Sequence, residues 1–173
     1  MLRILHLSDI QYGRHHVDKD ARAPLYPDDN YSRQLGRLID DLDILKDKVK
    51  VVPNFIAVTG DVAEWSKREE YEAAGDFLGG LADYLKIDRR YVILVPGNHD
   101  VNRKLCQAAR LTADAEGTPF NRPYFPKFKF YGRFFEDFYK NVAFPGQVAS
   151  YRFTEDRLLS ISIFPRRAWS SWG

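Results

Sequence analysis

Apolar residues gather along this chain in two alternating rhythms. Residues 55–59 (Phe-Ile-Ala-Val-Thr) and 91–95 (Tyr-Val-Ile-Leu-Val) are short runs without helical spacing, the mark of buried strands. Residues 2–10 form a third such run. It alternates, so Leu5, Leu7, Asp9 and Gln11 are expected on one side, with the two polar residues projecting together. Between these runs the spacing turns helical. Leu35, Leu38, Ile39, Leu42, Leu45 and Val49 line one helix face, with Asp29 or Asn30 as the expected cap and Lys46, Lys48 and Lys50 suiting the negative end of the helix dipole. Ser66-Lys-Arg-Glu69 reads as a capping box that opens a second helix through Tyr71, Ala74, Leu78, Leu81, Ala82 and Leu85. Inside it, Gly79-Gly80 costs about 1 kcal/mol per glycine relative to alanine, which points to a kink or to close packing.

The resulting order is β-α-β-α-β, an α/β class in which crossovers make the sheet parallel and ligands bind outside the carboxyl ends of the strands. Each strand carries chemistry at that end. The first runs into Asp9-Ile-Gln11, the second into Gly60-Asp61, and the third into Pro96-Gly97-Asn98-His99-Asp100, where proline ends the strand and glycine is read as a free turn. A connection over residues 12–30, punctuated by Gly13, Pro24 and Pro27, is longer than compact domains use without a function. Residues 103–115 are weakly helical and residues 117–126 irregular. Further on, Tyr131, Phe134, Phe135, Phe138 and Tyr139 fall on one helix face, which favours burial over base stacking despite Arg122, Lys127, Lys129 and Arg133 nearby. Residues 150–153 and 158–164 read as a β-hairpin turning at 154–157.

Bulk composition narrows the class without naming a function. A length of 173 residues with 45% hydrophobic content suits one domain, taken as residues 1–173, and excludes a disordered chain. The net charge of +2, from 26 basic and 24 acidic residues, implies neither nucleic acid nor membrane as a partner by itself. A lone cysteine, Cys106, rules out an internal disulfide; no cleavable apolar leader opens the chain and no run reaches the roughly 20 residues of a membrane span, so a cytoplasmic location and no membrane partner are expected.

Asp9-x-Gln11, Gly60-Asp61 and Gly97-Asn98-His99-Asp100, each following a strand, together resemble the first three signature blocks of the calcineurin-like metallophosphoesterases. For one strand end, Asp61 or Asn98 capping the next helix is a sufficient explanation; three ends in order are not explained that way. The resemblance implies the first half of a four-layer αββα sandwich, here with an aromatic-rich helical insert and the hairpin, and a hydrolase acting on phosphoesters of the phosphodiesterase, pyrophosphatase or nuclease type. It also implies two divalent ions bridged by Asp61, with Asp9 and Gln11 on one ion, Asn98 on the other, and a hydroxide held between them for in-line attack on phosphorus. His99 would act as acid or charge stabiliser near the leaving group, with Asp100 orienting its ring.

Two departures from the family pattern shape the remaining expectations. Gln11 stands where the family signature has histidine, replacing nitrogen by an amide oxygen. That hardens the site toward manganese or magnesium, with iron and zinc as alternatives, and resembles the manganese-dependent branch that cleaves ADP-ribose and CDP-alcohols. The second departure is the lack of any histidine after His99, where the family supplies a late Gly-His-x-His block. The chain is therefore expected to lack its C-terminal part and to self-associate or to need that region or a partner chain. A catalytically inactive binding or regulatory module and a nucleic-acid-binding module are the alternatives to the enzyme. Of the other candidates, His6 is read as a hydrogen-bonded core residue, His15 and His16 as solvated loop residues, and Cys106 as a helix-packing residue.

Overall fold

The computed structural model describes residues 2–13, 29–120 and 125–142, with the backbone alone for 29–34, 49 and 125. Strands β1 (Ile4–Ser8), β2 (Phe55–Thr59) and β3 (Val92–Val95) form a parallel sheet in the order β1-β2-β3. Ile56 pairs with both Leu5 and Val92, and Val58 with both Leu7 and Leu94. These six residues therefore share one face, and there Ile56, Val58 and Val92 are wholly buried. Helices α1 (Asp29–Val49), α2 (Arg68–Leu85), α3 (Arg103–Glu116) and α4 (Lys129–Phe138) follow the expected α/β order. The hairpin expected at 150–164, together with His15 and His16, lies outside the described residues. Among the described residues no helix is long and apolar enough to cross a membrane.

The core joins the covered sheet face to α2 and α4. Tyr71, Ala74, Leu78, Leu81 and Ala82 of α2 pack with Tyr131, Phe134, Phe135 and Phe138 of α4, so the aromatic stripe is core packing. Tyr71 stacks on Phe134 with ring centroids 5.4 Å apart, and Tyr139 donates its hydroxyl to the Val92 carbonyl at 2.6 Å. Arg89, in a 3-10 turn leading into β3, lays its guanidinium over the Phe138 ring at 5.1 Å and donates to the Phe138 carbonyl at 3.2 Å. Both glycines of the pair in α2 serve close packing. A Cβ on Gly80 would stand 2.7 Å from Leu35 Cδ2, and one on Gly79 would stand 3.1 Å from Arg89 Nη2.

Several local expectations shift by a residue. Helix α1 begins at Asp29, which puts Asp29 and Asn30 inside the helix, where neither is its cap. The capping box of α2 has Lys67 at the cap and Glu70 at the third position; the Glu70 carboxylate accepts from the Lys67 and Trp65 amides, each at 3.0 Å. Ser66, expected to cap, instead turns the chain with φ +53° and donates its hydroxyl to the Asp100 carbonyl at 2.9 Å. His6 is hydrogen-bonded as expected, to Thr59 Oγ1 at 2.7 Å, but it is exposed on the opposite sheet face rather than buried in the core.

Candidate metal centre

The pleat of β1 ends at Ser8, before the residues it was expected to aim. Asp9 and Gln11 both adopt positive φ, +54° and +44°, a conformation that is strained for glutamine above all and that gathers at functional sites. Their common direction thus comes from a turned backbone and not from strand alternation. The turned segment is laced to the chain leaving β2. The Asp9 amide donates to the Thr59 carbonyl at 3.3 Å, Gln11 to Asp61 at 2.9 Å and Tyr12 to Val62 at 3.0 Å, while Glu64 donates back to the Tyr12 carbonyl at 2.9 Å. Here a parallel bridge joins Tyr12 to Ala63.

Two glycines let the carboxylates settle. Gly60, at φ +83°, lies under Asp9: a Cβ there would stand 3.0 Å from Asp9 Oδ1. Gly97 was expected to serve as a free turn, but its φ is not positive; what it provides is space. A Cβ at Gly97 would stand 2.1 Å from Asp61 Oδ1 and 2.5 Å from the Asp61 amide nitrogen. Asp61 itself is 5% exposed, its Oδ1 accepting from the His99 amide at 2.8 Å and its Oδ2 lying 3.4 Å from Gln11 Nε2. Ser8, which sequence reading passed over, donates its hydroxyl to Asp9 Oδ2.

Gln11 and Asp61 are therefore brought together at the carboxyl end of the sheet, with Asp9 over the adjoining Gly60 and His99 tied to Asp61 through its backbone. Asn98 lies on the same turn, between Gly97 and His99, and is exposed. The side chains offer two carboxylates and two amides. Among the described residues no three His, Cys, Asp or Glu side chains form an ion-holding group of their own. An oxygen-rich set of this kind suits a hard divalent ion, with the Gln11 amide turned to present its oxygen.

His99 is oriented, but not by Asp100. Its Nδ1 lies 2.8 Å from the Glu64 carbonyl and 3.5 Å from Glu64 Oε2. A carbonyl can only accept, so Nδ1 carries the proton and Nε2 is left to accept when the ring is neutral or to donate when it is charged. The Asp100 carboxylate is instead fully buried and accepts from four donors: the Gly97, Val62 and Ala63 amides at 2.8, 3.1 and 3.1 Å and the Tyr71 hydroxyl at 2.9 Å. Burial pushes its carboxyl up to about 6 against the pull of those four hydrogen bonds. Asp100 thus clamps the turn after β3 to the turn after β2. Glu64 is the residue that sequence reading missed; its one signal was a carboxylate three positions after the strand-end Asp61.

Glu64 and Asp100 divide between them the two supporting tasks of the site, one holding an imidazole and the other holding the turns. A search of curated proteins found no relative that matches the chain. The family model of the calcineurin-like phosphoesterases, however, matches residues 2–164, in which all these turns lie, and the chain belongs to that family.

Proposed function

We propose that the chain is a divalent-metal-dependent phosphoester hydrolase domain. The observation that carries this reading is the meeting of Gln11 with Asp61, whose carboxylate also anchors the His99 amide, with Asp9 over the neighbouring Gly60 and both Asp9 and Gln11 at positive φ. Asp9, Gln11, Asp61 and Asn98 would hold the ions, and donors beyond these four would complete two coordination shells. When bound, such ions supply Lewis acidity toward the phosphoryl group and lower the pKa of water.

The chain's own residues account for the remaining tasks. Asp61 Oδ1 is engaged by the His99 amide, and Oδ2, approached by Gln11 Nε2 at 3.4 Å, would face an ion once the Gln11 amide turns its oxygen inward. His99, held at Nδ1, presents Nε2 to the phosphoryl or leaving-group oxygen as hydrogen-bond or proton donor. Glu64 keeps the ring's tautomer, and Asp100 keeps the two turns in register. The oxygen of Gln11 favours manganese or magnesium over zinc.

Calorimetric titration with manganese, magnesium and zinc, paired with hydrolysis of bis-p-nitrophenyl phosphate, tests this reading. Asp61→Asn is expected to abolish measurable manganese binding and to cut hydrolysis about a hundredfold or more, the scale on which losing a transition-state stabiliser acts. Gln11→His is expected to shift preference toward zinc. Unchanged binding and rate in Asp61→Asn would refute the site.

A further inference from the structure

Beside His99 the surface opens into a cavity of about 410 Å³, of the size that small-molecule sites reach. Its lining includes the buried Glu64 beside Trp65, Lys67, His99, Arg103 and Lys104. Trp65 is 61% exposed, an uncommon state for the residue type with the largest apolar surface to hide. The turn that displays it is nonetheless rigid. The Trp65 amide is held by the Glu70 carboxylate at 3.0 Å, and the next residue, Ser66, is fully buried, at φ +53° and bonded to the Asp100 carbonyl. The backbone under the indole is held in place while the ring itself is open to solvent, which leaves a flat apolar surface for a ligand to cover.

The exposed charges around it are cationic, and the one carboxylate in its lining, Glu64, is buried against His99. Lys67, Arg103 and Lys104 make no ion pair with a carboxylate among the described residues. Arg103 and Lys104 also open α3, where the helix dipole disfavours positive charge. Three cations and an open indole next to the imidazole that would face the leaving group call for a ligand with a flat π-system joined to phosphate.

We propose that this cavity takes the nucleoside flank of the substrate, with a nucleobase stacked on Trp65 and the adjoining phosphate on Lys67, Arg103 and Lys104. The proposal rests on the hydrolase reading and names its substrate class: a phosphodiester or phosphoanhydride that carries a nucleobase beside the scissile phosphate. A single nucleic-acid strand and a dinucleoside pyrophosphate share this chemistry.

Binding measured in EDTA, where hydrolysis is absent, separates the two readings. The full 173-residue chain is titrated into a fluorescein-labelled DNA hexamer, an abasic hexamer of the same length, and the labelled hexamer with unlabelled dinucleoside pyrophosphate as competitor. Trp65→Ala is expected to weaken the base-bearing hexamer by about five- to a hundredfold and leave the abasic one unmoved, with Trp65→Phe retaining most of the affinity. Lys67, Arg103 and Lys104 replaced together by alanine should weaken both hexamers and reduce the slope of log affinity against log salt by about 2. A hexamer that outbinds the dinucleotide marks a strand as the source, and comparable affinities mark the small dinucleotide. Equal affinity for base-bearing and abasic hexamers, or binding of neither hexamer nor dinucleotide, overturns the proposal. Failure of the hydrolase reading shows instead as no hydrolysis of bis-p-nitrophenyl phosphate with any divalent ion, whatever the binding result.

Discussion

Asp100 shows how much one buried carboxylate can hold. Its four donors come from the turns after β2 and β3 and from α2, so no neighbour in sequence could supply them all. In Asp100→Asn one oxygen becomes an NH2 that faces hydrogens instead of accepting them, at an expected cost of about 1 to 3 kcal/mol by urea unfolding. The pH dependence has a definite sign. Folding raises this carboxyl from 3.8 to about 6, so between those values the folded state binds more protons than the unfolded one. The contribution is fully present below 3.8 and is lost as pH rises through 6, by about 3 kcal/mol at 1.36 kcal/mol per unit of pKa. In metal-free buffer the unfolding midpoint of the native chain should carry this decline, and Asp100→Asn should lack it; parallel pH profiles for the two would contradict the assignment.

Among the elements, glycines give the sharpest contrast. Gly36 lies in the middle of α1 with nothing within 4 Å of where its Cβ would be, so Gly36→Ala is expected to raise stability by about 0.5 to 1 kcal/mol. Gly97→Ala meets the Asp61 carboxylate and backbone and should cost about 1 to 3 kcal/mol and weaken manganese binding. Thermal unfolding of both variants beside the native chain checks the opposite signs. Elements of this kind were largely legible beforehand: β2 spans the expected residues, and the helical spacing found α1, α2 and α4, because periodic burial writes itself into sequence. So was the placing of Asp9, Gln11 and Asp61 just beyond the strand ends, where Gln11 meets Asp61 and Asp9 lies over Gly60. The holder of His99 was not legible, since Glu64 and His99 lie 35 positions apart and meet only after the crossover through α2. Nor was the α2 cap, where a serine suited to capping was drawn away by a stronger partner, the buried Asp100 carbonyl.

For the molecule as a whole, the two faces of the sheet differ. The face carrying Ile56, Val58 and Val92 is buried along β2 and β3 and half-buried at Leu5 and Leu7 of β1, whereas on the other Ile4 is 56% and Val95 43% exposed, with Ala57 and Ile93 half-buried. Apolar surface returns about 25 cal/mol per Å² on burial, so a few hundred Å² is large against a domain's roughly 5 to 15 kcal/mol of net stability. The 173-residue chain by itself is expected to self-associate or to bind a partner or a further segment through this face. Gel filtration with light scattering, followed by hydrogen exchange on the three strands, checks it: a stable monomer with full strand protection would mean that the face is already covered.

The clamp at Asp100 also orders events in time. Val62, whose amide it receives, lies 38 positions earlier, and in a chain made from its N-terminus the first two turns of the site are synthesised long before the residue that locks them. While residues 9–63 have emerged and residue 100 has not, the Val62 and Ala63 amides are without the carboxylate that later receives them. Only when residue 100 has emerged can one carboxylate tie the turn after β2 to the turn after β3, so the geometry around Asp61 is fixed late in the synthesis of this stretch.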